Sequence, residues 1–195
     1  MFVEIFRNGW RWTVAPVLAA RQQIQAKRSW LGFYTVLAFT VLYALAAFVL
    51  WSYKIPLGMP AIIPVDPVDY YRWQAIFTIP WVLVCWALAG GLSWGVLKAF
   101  GGEARYREWL DLAGPATVVP WFFLTVLPAL IGKPLAGPAG FPPPVVNILT
   151  AVPLIWMMAL VVVAARIYLL RWPKAVGVAV IYTVIFCALL LPFAR

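Results

Sequence analysis

The chain has 195 residues, 65% of them hydrophobic and only 11% charged, and its mean hydropathy is +0.93. A water-soluble domain carries roughly 45–50% apolar residues and at this size must leave much of its chain at the surface, so the composition excludes a soluble fold and makes lipid the solvent. The absence of histidine removes His-ligated metals and haem and every His-based triad, and the net charge of +9 reads as loop lysine and arginine facing anionic headgroups rather than nucleic acid.

Residues 1–29 come first. Within Phe2–Leu18 the apolar Phe2, Val3, Ile5, Phe6, Trp10, Trp12, Val14 and Val17 are mixed with Arg7 and Arg11. We expect an amphipathic helix lying in the interface of the cytoplasmic leaflet, and no cleaved signal peptide.

Five uncharged apolar runs follow, each close to the roughly 20 residues that a spanning helix needs. They predict spans over 30–52, 75–97, 112–132, 146–168 and 174–193, an all-α integral membrane protein built as a five-helix bundle in a single domain. Trp30 and Trp51 bracket the first span, as amphipathic rings do at membrane boundaries. The connections 54–69 and 132–144, rich in Pro and Gly, read as short irregular caps.

Charge sets the expected orientation. Eleven of the 15 basic residues fall on one side: Arg7, Arg11, Arg21, Lys27, Arg28, Lys98, Arg105, Arg107, Arg166, Arg171 and Lys174. By the positive-inside rule the N-terminus is cytoplasmic, and five spans put the C-terminus outside. A bacterial inner membrane is the expected location.

Helices in lipid associate through close backbone approach. The second span offers Ala87, Gly91, Gly95 and Ala99 at every fourth position, and the fifth offers Ala175, Ala179, Thr183 and Cys187. We expect these ridges to pack within the chain; the alternative is self-association through Gly91 and Gly95. Pro80, Pro120, Pro128 and Pro153 predict kinks, since an interior proline lacks the N–H of the helical ladder. The richest polar segment is the cytoplasmic connection at residues 98–111. Gly101 or Gly102 can end the second span in a left-handed turn. Glu103, Arg107 and Asp111 then fall four apart on an exposed face, with Tyr106, Trp109 and Leu110 turned to the membrane. Together with Arg105 and Glu108 these form a candidate docking loop for a partner. Its glycines lack the spacing and the following lysine of a phosphate-binding loop.

No residue set suggests catalysis, a cofactor or a metal. Cys85 and Cys187 sit in apolar runs as packing residues, and Thr117, Thr125, Thr150 and Thr183 read as donors to helix carbonyls. Apart from Lys174 at the edge of the fifth, the spans hold no Asp, Glu or Lys, and Arg166 lies near a cytoplasmic helix end, where it favours the negative pole and snorkels.

Several motifs together resemble the bacterial branch of the Yip family, membrane proteins named for their interaction with Ypt/Rab GTPases. They are Arg11-Trp12-Thr13-Val14-Ala15-Pro16 near the start and Asp69-Tyr70-Tyr71-Arg72-Trp73-Gln74 with Pro80 entering the second span. Lys98-Ala-Phe-Gly101-Gly102, then Gly114 with Pro120 in the third span, and Lys174-Ala175 follow. The resemblance covers nearly the whole chain. It implies five spans, a cytoplasmic N-terminus and, for eukaryotic relatives, a non-enzymatic role in vesicle traffic with GTPase partners. Those relatives carry a long cytosolic N-terminal region where this chain has residues 1–29. The functional expectation is a non-catalytic scaffold, adaptor or accessory subunit that binds membrane lipids, other membrane proteins or itself, and no nucleic acid. The alternative is a small permease, channel or lipid-handling protein for a neutral or apolar solute.

Overall fold

The structure is a computed structural model that describes residues 2–25, 30–54, 65–66, 69–136, 141–169 and 171–190. Of the expected irregular caps at 54–69 and 132–144, residues 55–64, 67–68 and 137–140 lie outside the described residues, as do Lys27, Arg28 and the chain end at 191–195, while 132–136 and 143–144 are helical rather than irregular. Every regular element among the described residues is helical. They are α1 (Phe2–Val14), α2 (Pro16–Gln25), α3 (Leu31–Ser52), α4 (Tyr70–Ala99), α5 (Tyr106–Trp121), a π-helical turn (Phe122–Val126), α6 (Leu127–Ala136), α7 (Pro143–Arg166) and α8 (Trp172–Leu190). Five helices are long and apolar enough to cross a membrane: α3, α4, the α5–π–α6 unit over Tyr106–Gly132, α7 from Pro144, and α8. The protein is a multi-pass membrane protein.

Helix α5 is the centre of the bundle. It packs on α3, α4 and α7, while α4 meets α8 and α7 closes the circuit to α8. From Leu112 to Pro120 every residue of α5 is buried. Small residues make this possible, because without a side chain two helix backbones can close on each other. A Cβ added at Gly32 on α3 would collide with the backbone of Asp111, and one at Gly114 would stand 2.8 Å from Val36. Gly90 on α4 is filled by Leu110 in the same way.

Two helix boundaries differ from the sequence reading for a common reason. Counting uncharged runs starts a span after its last charge, but a helix runs on through charged residues, Arg72 in the second span and Glu108, as a cap, in the third. The third span therefore begins at Tyr106, where the Glu108 carboxylate accepts the Arg105 backbone N–H at 3.0 Å. The second begins at Tyr70 and runs for 30 residues, about 45 Å at the helical rise. That exceeds the roughly 30 Å of hydrocarbon, so α4 is long enough to tilt or to project past the membrane core.

The N-terminal segment also differs from the expected single helix. It breaks at Ala15, before Pro16, and α2 folds back on α1 as a hairpin. The hairpin packs against α3, α5 and α7. A Cβ on Gly9 would lie 2.9 Å from the Phe39 ring and 3.6 Å from Val119. Phe39 is eight residues inside α3, roughly 12 Å along its axis, so α1 seats against the flank of the bundle.

Candidate functional site

The described residues hold no group of three or more His, Cys, Asp or Glu that could bind a metal. Cys85 is buried, Cys187 is half-buried, and both are free thiols. Several polar groups at membrane depth are spent on one another. Thr117 and Tyr182 share a 2.6 Å hydrogen bond between α5 and α8, the Trp109 indole donates to Ser93 at 2.9 Å, and the Gln74 amide donates to Tyr43 at 2.7 Å. Thr117 and Thr150 donate back to Ala113 and Val146 in their own helices, whereas the buried Thr183 hydroxyl has no hydrogen-bond partner among the described residues.

The prolines organise two cross-helix bonds. A proline at position i leaves the carbonyl at i−4 without its helical donor, and in lipid that carbonyl needs another. Pro153 frees Leu149, and the Thr125 hydroxyl, in the π-helical turn, donates to Leu149 O at 2.6 Å. Pro115 frees Asp111, and the Gln23 amide of α2 donates to Asp111 O at 2.7 Å. The wide turn at Phe122–Val126 follows Pro120, whose ring crowds the Ala116 carbonyl, and Pro128 lies just beyond it in α6. Pro80 is exposed on α4, which stays helical through it.

The α4–α5 corner closes as the glycine pair suggests. Gly101 takes a left-handed φ of +90°, its N–H donates to Lys98 O, and the Gly102 N–H donates to Leu97 O, each at 2.9 Å, the pattern of a Schellman cap. The Lys174 ammonium donates to Phe100 O at 2.8 Å, which places a cation at the negative end of α4.

Most of the expected docking loop is engaged inside the molecule. Glu108 caps α5. The Asp111 carboxylate accepts the Trp30 N–H, 3.2 Å from its nearer oxygen, and so puts negative charge at the positive end of α3. The Arg107 guanidinium lies 4.2 Å above the Trp30 ring. Trp109, expected to face lipid, is fully buried, and Leu110 is half-buried against Gly90. Tyr106 is exposed as expected, with its hydroxyl donating to Ala87 O. Glu103 precedes α5 and stands outside the four-residue ladder; it and Arg105 remain exposed. Arg166 donates to Leu169 O at 3.0 Å and stacks 4.7 Å over Trp172. Tyr168, in the α7–α8 turn, has its phenol pushed up by burial and by the charges of Glu108 and Asp111.

The two small-residue ridges part company. Ala175, Ala179 and Thr183 are buried in the bundle. The α4 ridge is not: Gly95 has nothing within 4 Å of an added Cβ, Gly91 meets only Tyr106 at 3.8 Å, and Ala99 is exposed. Rows at every fourth residue slide about 40° per step around a helix of 3.6 residues per turn. The face that packs inward is Trp86, Ala89, Gly90, Ser93 and Leu97.

The feature absent from the sequence reading is the polar seam under the hairpin. Gln23, buried, accepts the Trp12 indole N–H at 3.1 Å and donates to Asp111 O. Trp12 is 0% exposed. Arg11 donates to Gln22 at 2.9 Å. Between the two helices lies an open cleft of about 280 Å³ lined by Glu4, Arg7, Asn8, Arg11, Gln22 and Gln23 together with the apolar Ala19 and Leu31. A second, apolar cavity lies along Ala15–Leu18 and Arg21.

The chain matches no family model, no curated protein and no solved structure.

Proposed function

We propose that this is a non-catalytic membrane scaffold or adaptor, with the α1–α2 hairpin as its working surface on the cytoplasmic side of a bacterial inner membrane. The observation that carries the reading is how the hairpin is held. It is fixed to the central helix by the buried Gln23 amide, which the buried Trp12 indole holds in turn from within the hairpin, yet Arg7, Arg21, Val3, Trp10, Val14 and Leu18 are exposed. A rigid basic and aromatic platform suits contact with lipid headgroups or with a membrane partner. The resemblance to the Yip family agrees with this reading and adds the five-span topology with a cytoplasmic N-terminus. Native mass spectrometry of the protein extracted with its own lipids tests it: a reproducible protein or lipid partner is expected, and a solitary, lipid-indifferent monomer overturns it.

A second reading, a small permease or lipid-moving protein, is favoured by the π-helical turn between Pro120 and Pro128. Wide turns inside helices recur at functional positions, and this one reaches across to the α7 carbonyl freed by Pro153. Cysteines placed along Thr117–Thr125 would then label with a polar thiol reagent; uniform protection would remove this reading.

A further inference from the structure

We propose that the cleft between α1 and α2 binds a phosphate ester, and that its occupant is the headgroup of a membrane glycerophospholipid. The inference rests on the hairpin being the working surface. Glu4, Arg7, Asn8 and Arg11 recur at i, i+3, i+4 and i+7, so α1 turns them to one face. Gln22 and Gln23 come from α2 on the opposite wall. The cavity thus gathers two guanidinium groups and the Asn8 and Gln22 amides, over a Gln23 already bonded to Trp12 and Asp111, around about 280 Å³, just below the roughly 300–1,000 Å³ range of small-molecule sites. Guanidinium forks bind phosphate through paired, charge-assisted hydrogen bonds. Arg11 is already oriented by its bond to Gln22, which leaves its remaining donors for a ligand.

Charge and depth narrow the ligand. Two arginines against one glutamate leave a single positive charge among the wall groups, and one phosphodiester balances it. Leu31, which also lines the cleft, is the first residue of the first span. The cleft therefore reaches the start of the first span, the level where headgroups meet hydrocarbon. The exposed Trp30 marks that boundary, where indoles prefer to lie.

The test titrates the purified full-length protein in neutral detergent with dioleoylphosphatidylglycerol, with dioleoylglycerol and with inorganic phosphate, read by native mass spectrometry. Saturable binding of the phospholipid is expected, none of the phosphate-free diglyceride, and no displacement by excess inorganic phosphate. R7Q/R11Q should weaken binding by about tenfold or more per arginine, the scale of a charge-assisted hydrogen bond. R7K/R11K, which keeps charge but not the fork, should fall between. The control K98Q/R171Q removes two exposed basic residues outside the cleft and should bind as the parent does. Equal loss in R7Q/R11Q and K98Q/R171Q would reduce the effect to general charge and overturn the site. Displacement by inorganic phosphate would overturn the lipid assignment. Thermal unfolding checks R7Q/R11Q; if it unfolds, R7K/R11K carries the comparison. If R7Q/R11Q keeps lipid but sheds a protein partner, the lipid site fails and the scaffold reading stands. If it loses lipid while no protein partner is ever captured, the lipid site holds and the protein-binding form of the scaffold fails.

Discussion

Replacing Gln23 by leucine tests whether Pro115 creates the anchoring point of the hairpin. The side chain keeps its approximate volume but loses both hydrogen-bonding functions. The Trp12 indole N–H, with no exposure to solvent, and the Asp111 carbonyl both lose their partner. Each buried group left unpaired costs about 1–3 kcal/mol, and the added apolar contact of leucine returns about 1 kcal/mol. The expected net is about 3 kcal/mol against docking, or roughly a hundredfold faster exchange of the α1 amides if they exchange through hairpin opening. Hydrogen exchange in micelles reads this directly. The second half of the test is Pro115→Ala, which restores an N–H able to donate to Asp111 O within α5. In that background the carbonyl no longer depends on Gln23, and the Gln23→Leu cost should fall by at least about 1 kcal/mol. The lost ring of Pro115 cancels in the double-mutant cycle. A coupling below about 0.5 kcal/mol, the range of independent sites, would refute the idea that the proline creates the docking point.

Other substitutions probe the remaining contacts. Gly32→Ala drives a Cβ into the Asp111 backbone, a clash that no rotamer relieves, and should cost about 1–3 kcal/mol or more in denaturant unfolding in mixed micelles. Gly95→Ala, with open space around it, should be neutral or stabilising by up to about 1 kcal/mol; a loss instead would mean that another chain covers this face. Thr125→Val should cost about 1–3 kcal/mol by orphaning Leu149 O, while Thr150→Val, on an exposed back-bond, should change stability by less than about 0.5 kcal/mol in the same assay. Lys174→Gln should lower the unfolding midpoint by the equivalent of about 1 kcal/mol, through loss of the Phe100 cap and the charge at the end of α4.

The sequence carries the spans because the requirement that makes them is one-dimensional: lipid demands an uninterrupted apolar run, and a run can be counted. The Gly101–Gly102 corner was legible for a similar reason, since only a few residues tolerate a left-handed cap. Trp109 was not. Its neighbours Arg105, Arg107, Glu108 and Asp111 mark a solvated first turn, and one-dimensional reading gave the tryptophan to lipid. Its burial depends on Ser93 sixteen residues away. The α4 ridge failed in the same way. Gly90 and Gly91 are indistinguishable in composition, and only the positions of Leu110 and Tyr106 make one tight and the other open.

The proline bonds are a case where the sequence held the signal and a wider rule would have found it. In water an interior proline is a local event, because solvent takes the freed carbonyl. In lipid it becomes a debt with an address: the carbonyl four residues back needs a donor from another helix, from water, or a local rearrangement such as the wide turn after Pro120. Pro115 and Pro153 therefore name Asp111 and Leu149 as acceptors from sequence alone. Side-chain donors inside the apolar segments are few, and those not already bonded to their own helix are fewer. Gln23 and Thr125 fill the two places. Read this way, a proline in a spanning helix is a constraint on tertiary contacts as well as a predicted bend. The same rule assigns Ile76, four residues before Pro80, a need for a donor from outside its helix, and Pro80 is exposed on the face that carries Phe77 and Val84. Pro80→Ala should therefore reduce any association that this face of α4 makes, if that association supplies the donor, and leave it unchanged if water meets the carbonyl instead. Cross-linking of cysteines at Phe77 and Val84, with and without Pro80, separates the two outcomes.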